Sequence, residues 1–180
     1  MFLAKAENEG KFDVIITDSS DPVGPAESLF QSPFYVAMDK ALKAGGKVCT
    51  QAESMWLHLD LIDKLVRDSL QIFANAEYAT TQIPTYPAGQ IGLLLCSKAP
   101  AKPARGAAKA PSCKVPARQV KESEKDQYRY YSSELHSASF VLPRFVAKRL
   151  EEAKIAALGN KKRQSLTGEE QDDKKQKTDA

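Results

Sequence analysis

Phe12–Thr17 (FDVIIT) is a short apolar run rich in β-branched side chains, without the polar alternation of a strand wetted on one face. Such a run predicts a strand buried on both faces, the kind found in parallel sheets. The segments C-terminal to it agree with that setting. Ser19–Pro25 (SSDPVGP) is turn chemistry throughout. Ser32–Ala44 reads as a helix, with Ser32 as N-cap, Pro33 at the first position and Gly45-Gly46 ending it. Lys47–Gln51 is a second strand, and Leu57–Phe73 is the clearest helix, its apolar residues returning at helical spacing. Tyr78–Ile83 and Ile91–Ser97 are two more strands around the connection Pro84–Gln90. Residues 2–10 read as the end of a preceding helix closed by Gly10. Strand and helix alternate, so the expected class is α/β: a parallel sheet with covering helices, finished by an antiparallel hairpin.

Beyond the hairpin the composition changes. Residues 98–119 hold four Pro and seven Ala and no aromatic, which reads as a low-complexity linker or surface insertion. Order resumes in a group of aromatic and aliphatic residues from Tyr128 to Phe145, and a helix is expected over Phe145–Leu158. Residues 159–180 alternate charge around one Leu and bury too little apolar surface to offset ordering, so a disordered tail is expected. The expected organisation is a partial catalytic domain over 1–97, an insertion over 98–127, a C-terminal helical segment over 128–158 that packs on the domain, and the tail over 159–180.

The net charge of +3 is unevenly spread. Residues 1–96 carry 12 acidic and 7 basic side chains, and the basic excess lies in the insertion and beyond. A basic average of that origin argues against a nucleic-acid surface. The apolar runs are far shorter than the ~20 residues of a bilayer span. Three cysteines, an odd and sparse set without a signal segment, point to a reduced, cytoplasmic setting.

In open α/β sheets, ligands bind beyond the carboxyl ends of the strands. Asp18 stands at that end of the first strand, and Asp21 follows in the same turn. Two readings fit: both acids cap the turn, or they form a paired-carboxylate site that attracts a cation and accepts a proton from a bound amine. Pro22, Gly24 and Pro25 stiffen the loop and offer a flat wall for a planar ring. Tyr86 lies in the Pro84–Gln90 connection, where flanking proline aims its hydroxyl. His58 and His136 have no partner at metal spacing and read as structural. Asp60, Asp63 and Asp68 read as the solvated face of their helix, Cys49 as a strand residue and Trp56 as core or interface.

The segment Asp18-Ser-Ser-Asp-Pro-Val-Gly-Pro-Ala-Glu-Ser-Leu-Phe30 resembles the signature of the spermidine synthases. The resemblance continues through Gln51, Trp56-Leu-His-Leu-Asp60, Ile83-Pro-Thr-Tyr-Pro-Ala-Gly-Gln-Ile-Gly92, Tyr130-Tyr131-Ser132 and Phe140-Val-Leu-Pro143. It implies an aminopropyltransferase on a methyltransferase-like Rossmann sheet. The reaction moves the aminopropyl group of decarboxylated S-adenosylmethionine onto putrescine and yields spermidine and methylthioadenosine. By motif position, Asp18 is the catalytic acid/base; Asp18, Asp21 and Tyr86 hold the diamine; Pro25, Ala26 and Leu29 lie along the nucleotide. The nucleotide is a co-substrate, and no further cofactor or metal is implied. A homodimer is the expected assembly. Spermine synthase and putrescine N-methyltransferase are sister readings, and a non-catalytic partner of a complete synthase is a third.

The resemblance covers only the C-terminal part of such an enzyme. A full member has an N-terminal β-rich domain and a Gly-rich nucleotide loop before this point, and neither is present in these residues. The chain therefore reads as a fragment with the acid/base and part of the amine site, and with little transferase activity alone. Its first strand is expected to leave an open edge.

Overall fold

The computed structural model describes residues 2–101 and 112–178, with side chains to residue 161. Four strands form one sheet: β1 (Phe12–Thr17), β2 (Leu42–Gln51), β3 (Asn75–Gln82) and β4 (Gln90–Ser97). Their spatial order is β1-β2-β4-β3. β1 and β2 run parallel, with Val14 opposite Lys47 and Thr17 opposite Thr50. β4 runs antiparallel to both its neighbours, with Gln51 opposite Leu93 and Gln82 opposite Gln90. The closing hairpin thus folds back so that its second strand, not its first, meets β2.

One face of the sheet carries the core. Helix α1 (Ser32–Ala41) links β1 to β2, and α2 (Leu59–Ile72) links β2 to β3. Ile62, Leu65, Val66, Ser69 and Leu70 recur at three- and four-residue steps, so one stripe of α2 is buried. It meets Val48, Ala76, Tyr78, Leu94 and Cys96 from the sheet. After the short helix α3 (Ser133–Ala138), capped by the Ser132 hydroxyl accepting from the Leu135 amide at 3.0 Å, comes α4 (Arg144–Thr178). Val146, Leu150, Ala153 and Ala157 of α4 complete the same core.

Several expectations are corrected. β1 is not buried on both faces: Val14 is 55% and Ile16 74% exposed, because among the described residues β1 pairs with β2 alone and nothing covers its second face. Residues 2–10 form a single 3₁₀ turn, Ala6–Asn8. Backbone bonds to α1 hold it instead of a helix of its own: the Gly10 and Lys11 amides donate to the Lys40 and Ala41 carbonyls, each at 2.9 Å. α1 ends at Ala41, not Ala44, and Gly45-Gly46 lie within β2. They occupy the register irregularity between the Phe12–Leu42 and Val14–Lys47 pairs, where a side chain on Gly46 would strike Leu42 and the Lys43 carbonyl. Asp63 is not solvated. It is buried, accepts from Arg67 of its own helix at 2.5 Å and from Arg149 of α4 at 3.1 Å, and so ties the two helices together. Asp60 and Asp68 lie toward the solvated side of α2, as expected, Asp68 pairing with Lys64 at 2.5 Å. α4 runs to Thr178, through the segment whose composition predicts disorder. Its Lys, Gln, Glu and Arg are good helix formers, and extending a helix from a packed stem costs little. Part of the insertion, 102–111, lies outside the described residues.

Candidate active site

The register sets which ends meet. β1 and β2 are parallel, so their carboxyl ends lie side by side, and the antiparallel hairpin brings its connection to the same end. Asp18 follows the last residue of β1, Gln51 ends β2, and residues 83–89 join β3 to β4 there. Adjacent strands are ~4.8 Å apart. Asp18 and the hairpin connection are therefore separated by two strand spacings, ~10 Å, with the end of β2 between them.

Asp18 and Asp21 are both exposed. Asp21 opens a tight turn in which its carbonyl accepts from the Val23 amide at 2.7 Å. Gly24 then takes φ +61°, a left-handed value that a side chain would strain, and Pro25 starts the 3₁₀ turn Gly24–Phe30. Ala26 of that turn is buried, while Leu29 lines a groove of about 470 Å³ with Phe2, Leu3 and Phe34. Pro25 and Ala26 do not line that groove. Tyr86 is 39% exposed, on a connection held by its own backbone bonds: the Tyr86 amide to the Ile83 carbonyl at 3.1 Å, and the Gly89 amide to the Tyr86 carbonyl at 2.9 Å.

Residues 1–105, more than half of the chain, match the spermine/spermidine synthase domain. The chain belongs to that family. It is 48% identical over 144 residues to the spermidine synthase of Dictyostelium discoideum, a match covering 80% of this chain and 47% of that protein. It is 44% identical over 156 residues to putrescine N-methyltransferase 1 of Nicotiana tabacum, covering 82% and 39%. Its fold superimposes with a TM-score of 0.66, at 27% identity, on a spermidine synthase crystallised with the transition-state analogue AdoDATO, over 83% of this chain and 47% of that one. The chain spans about half the length of the curated relatives it matches. The α/β sheet with its closing hairpin is thus the spermidine synthase, methyltransferase-like fold, as the resemblance implied.

Behind the exposed acids of this spermidine synthase domain lies a buried polar network that residue-by-residue reading passes over. Gln51 donates from Nε2 to Glu53 Oε1 at 3.0 Å, and Glu53 Oε2 pairs with His58 Nδ1 at 3.2 Å. Glu53 has φ +62°, left-handed for a non-glycine residue. Its carbonyl accepts from the Gly92 amide at 2.9 Å and from the Tyr78 hydroxyl at 2.8 Å, which fixes that conformation. Gly92 is required because a methyl group there would overlap both the Tyr78 hydroxyl and the Glu53 carbonyl. Trp56 is more than half exposed; it donates to Gln90 Oε1 at 3.0 Å and lies 5.5 Å from the Phe145 ring. The Gln51 Oε1 and Gln90 Nε2 atoms are buried without a hydrogen-bond partner among the described residues, so the mouth of the site keeps one acceptor and one donor unsatisfied. The signal for this network was in the sequence: Gln51-Ala-Glu-Ser54 puts polar residues at a strand's carboxyl end, and a glycine interrupts the apolar run of β4.

Proposed function

We propose that this chain carries the amine-binding, proton-accepting part of a spermidine synthase. The observation behind the reading is the convergence, by strand register, of Asp18, Gln51 and the Tyr86 connection at one end of the sheet. An alkyl diamine is a dication near neutral pH, since alkylamines titrate like Lys near 10. Asp18 and Asp21 meet that charge with two exposed carboxylates, and the Tyr86 hydroxyl receives the far end. The attacking nitrogen must shed its proton, and Asp18, nearest the strand end, takes it. A carboxylate is a weak base for an ammonium in water; withdrawing both from water disfavours both charged forms and brings their affinities closer. The sulfonium of decarboxylated S-adenosylmethionine supplies a ready leaving group, so alignment of the two reactants provides much of the acceleration. Leu29, with Pro25 and Ala26 in the same turn, borders the nucleotide. The acting form is a cytoplasmic homodimer. Among the described residues of this chain both carboxylates are open to water and one face of β1 is uncovered, so its own turnover with putrescine and decarboxylated S-adenosylmethionine is slow.

Asp18→Asn tests the role. In the longest natural chain containing this sequence, turnover falls by about 10²–10⁴-fold while nucleotide affinity changes little. Near-normal turnover removes Asp18 from the base role. A methyltransferase reading is favoured by the 44% identity to putrescine N-methyltransferase 1. Comparing S-adenosylmethionine with its decarboxylated form as donor separates the two, since only the methyltransferase consumes the former.

A further inference from the structure

The second face of the sheet, away from α2 and α4, carries two thiols that the transferase chemistry leaves unused. Residues paired across strands point to the same face. Glu77, Leu95 and Cys49 therefore form one row, and Ser97 and Lys47 belong to the next. The segment after the insertion lies across this face at Cys113. Its backbone is fixed on both sides: the Cys113 amide donates to Glu77 Oε2 at 2.5 Å, and the Cys113 carbonyl accepts from His136 Nε2 at 2.8 Å. Ser112 adds a bond to Glu77 Oε1 at 2.6 Å. The Cys113 sulfur is thereby held against the sheet, 3.4 Å from Ser97 Oγ. Cys49 is the diagonal neighbour of Ser97 across β2 and β4, a relation that puts side chains ~7–8 Å apart. Both thiols are half-buried, whereas Cys96 is fully buried on the core face.

We propose that Cys113 and Cys49 are a dithiol that closes to a disulfide and staples the segment after the insertion across the second face of the sheet. A disulfide needs Cα atoms about 4.4–6.8 Å apart. Residues 112–121 contain no helix or strand, and the Cys113 backbone is anchored through the side chains of Glu77 and His136, which turn with the segment over the few ångströms required. The oxidant is a small-molecule disulfide such as oxidised glutathione. The Cys113 thiolate attacks one of its sulfurs, forming a mixed disulfide and releasing one glutathione. The Cys49 thiolate then attacks the Cys113 sulfur and releases the second. Two protein thiols are oxidised, one disulfide is reduced to two thiols, and the two protein protons pass to the departing glutathiones. Burial, with Cys113 as neighbour, pushes the Cys49 thiol up, so Cys49 serves as the second, resolving thiol, brought to the Cys113 sulfur by proximity. Cys96 takes no part: burial pushes its thiol up to about 12, and it faces the core. Cys49 is two residues before Gln51 on the same strand face, so the bridge anchors the strand that ends at the site.

The test uses the whole 180-residue chain, dilute, with excess oxidised glutathione, followed by acid quench, unfolding, alkylation and mass analysis. The expected product is a monomer lighter by about 2 Da, two hydrogens, with one alkylatable thiol where the reduced chain has three, and a tryptic fragment joining Cys49 to Cys113. Cys49→Ser stops at a stable glutathione adduct on Cys113, and Cys113→Ser forms no internal bridge. A wild-type chain that keeps three thiols, holds its glutathione adduct, bridges through Cys96 or gives only disulfide-linked dimers overturns the proposal. The wild-type fragment map decides the matter even where a variant fails to fold.

Discussion

β1 reads FDVIIT and β4 reads QIGLLLCS, two apolar runs of similar length, yet Ile16 of β1 is 74% exposed and Leu94 of β4 fully buried. The strands differ in their neighbours. β4 has a hydrogen-bonded strand on each side and α2 against its face; among the described residues β1 has one strand beside it and a bare second face. An apolar run therefore states a demand for burial, and only the surrounding chain determines whether the demand is met.

Substitutions sharpen this contrast. Leu94→Ala removes a fully buried side chain from the centre of the core, and about 2–5 kcal/mol of stability should be lost in urea denaturation. An effect below ~1 kcal/mol would place β4 outside the cooperative core. Gly92→Ala forces a methyl against the Tyr78 hydroxyl and the Glu53 carbonyl. Overpacking of that kind costs about 1–3 kcal/mol, read in the same experiment; an unchanged midpoint would show that Tyr78 yields freely. A smaller effect comes from pH. Burial pushes the Tyr35 and Tyr78 phenols, both in the core beside β4, well above their ordinary value. The unfolded chain releases these protons near pH 10 while the folded chain retains them, so the contribution is intact below that pH and fades as pH rises beyond it. Melting temperature should hold to about pH 9 and then drop, less steeply in Tyr78→Phe; equal slopes would contradict it. Smallest is Ile16→Ala on β1, where the folded state should shift by no more than ~0.5 kcal/mol. Less light scattering on concentration is the expected gain, because an exposed apolar edge strand promotes self-association. A loss comparable to that of Leu94→Ala would mean that β1 is covered in solution.

Much of the architecture was legible because it rests on local pattern. The period of α2, the β-branched runs and the Pro-Gly turns announced the element order, and the position of Asp18 just past a strand's carboxyl end followed from it. What escaped depends on contacts distant in the chain. Asp63 pairs with Arg67 four residues on, but its second partner is Arg149 on another helix, which no window around Asp63 contains. Glu53 owes its left-handed backbone to Gly92 and Tyr78 on two other strands. Gly45-Gly46 follow a helical pattern and look like its stop, yet β1 pairing across that stretch makes them part of a strand. β1 misled for the same reason in reverse, since its composition carries no information about how many neighbours it has.

The hairpin has a consequence for how the mouth of the site comes into being. β3 and β4 are joined by a connection of seven residues and pair along their whole length, so they can zip together within microseconds, ~1–10 μs, before either meets β2. Asp18 is placed only when β1 finds β2 across an intervening helix, a slower, non-local event. The two ends of the sheet's rim are thus assembled on separate clocks, with the Tyr86 platform ready first and the Asp18 strand arriving to complete it.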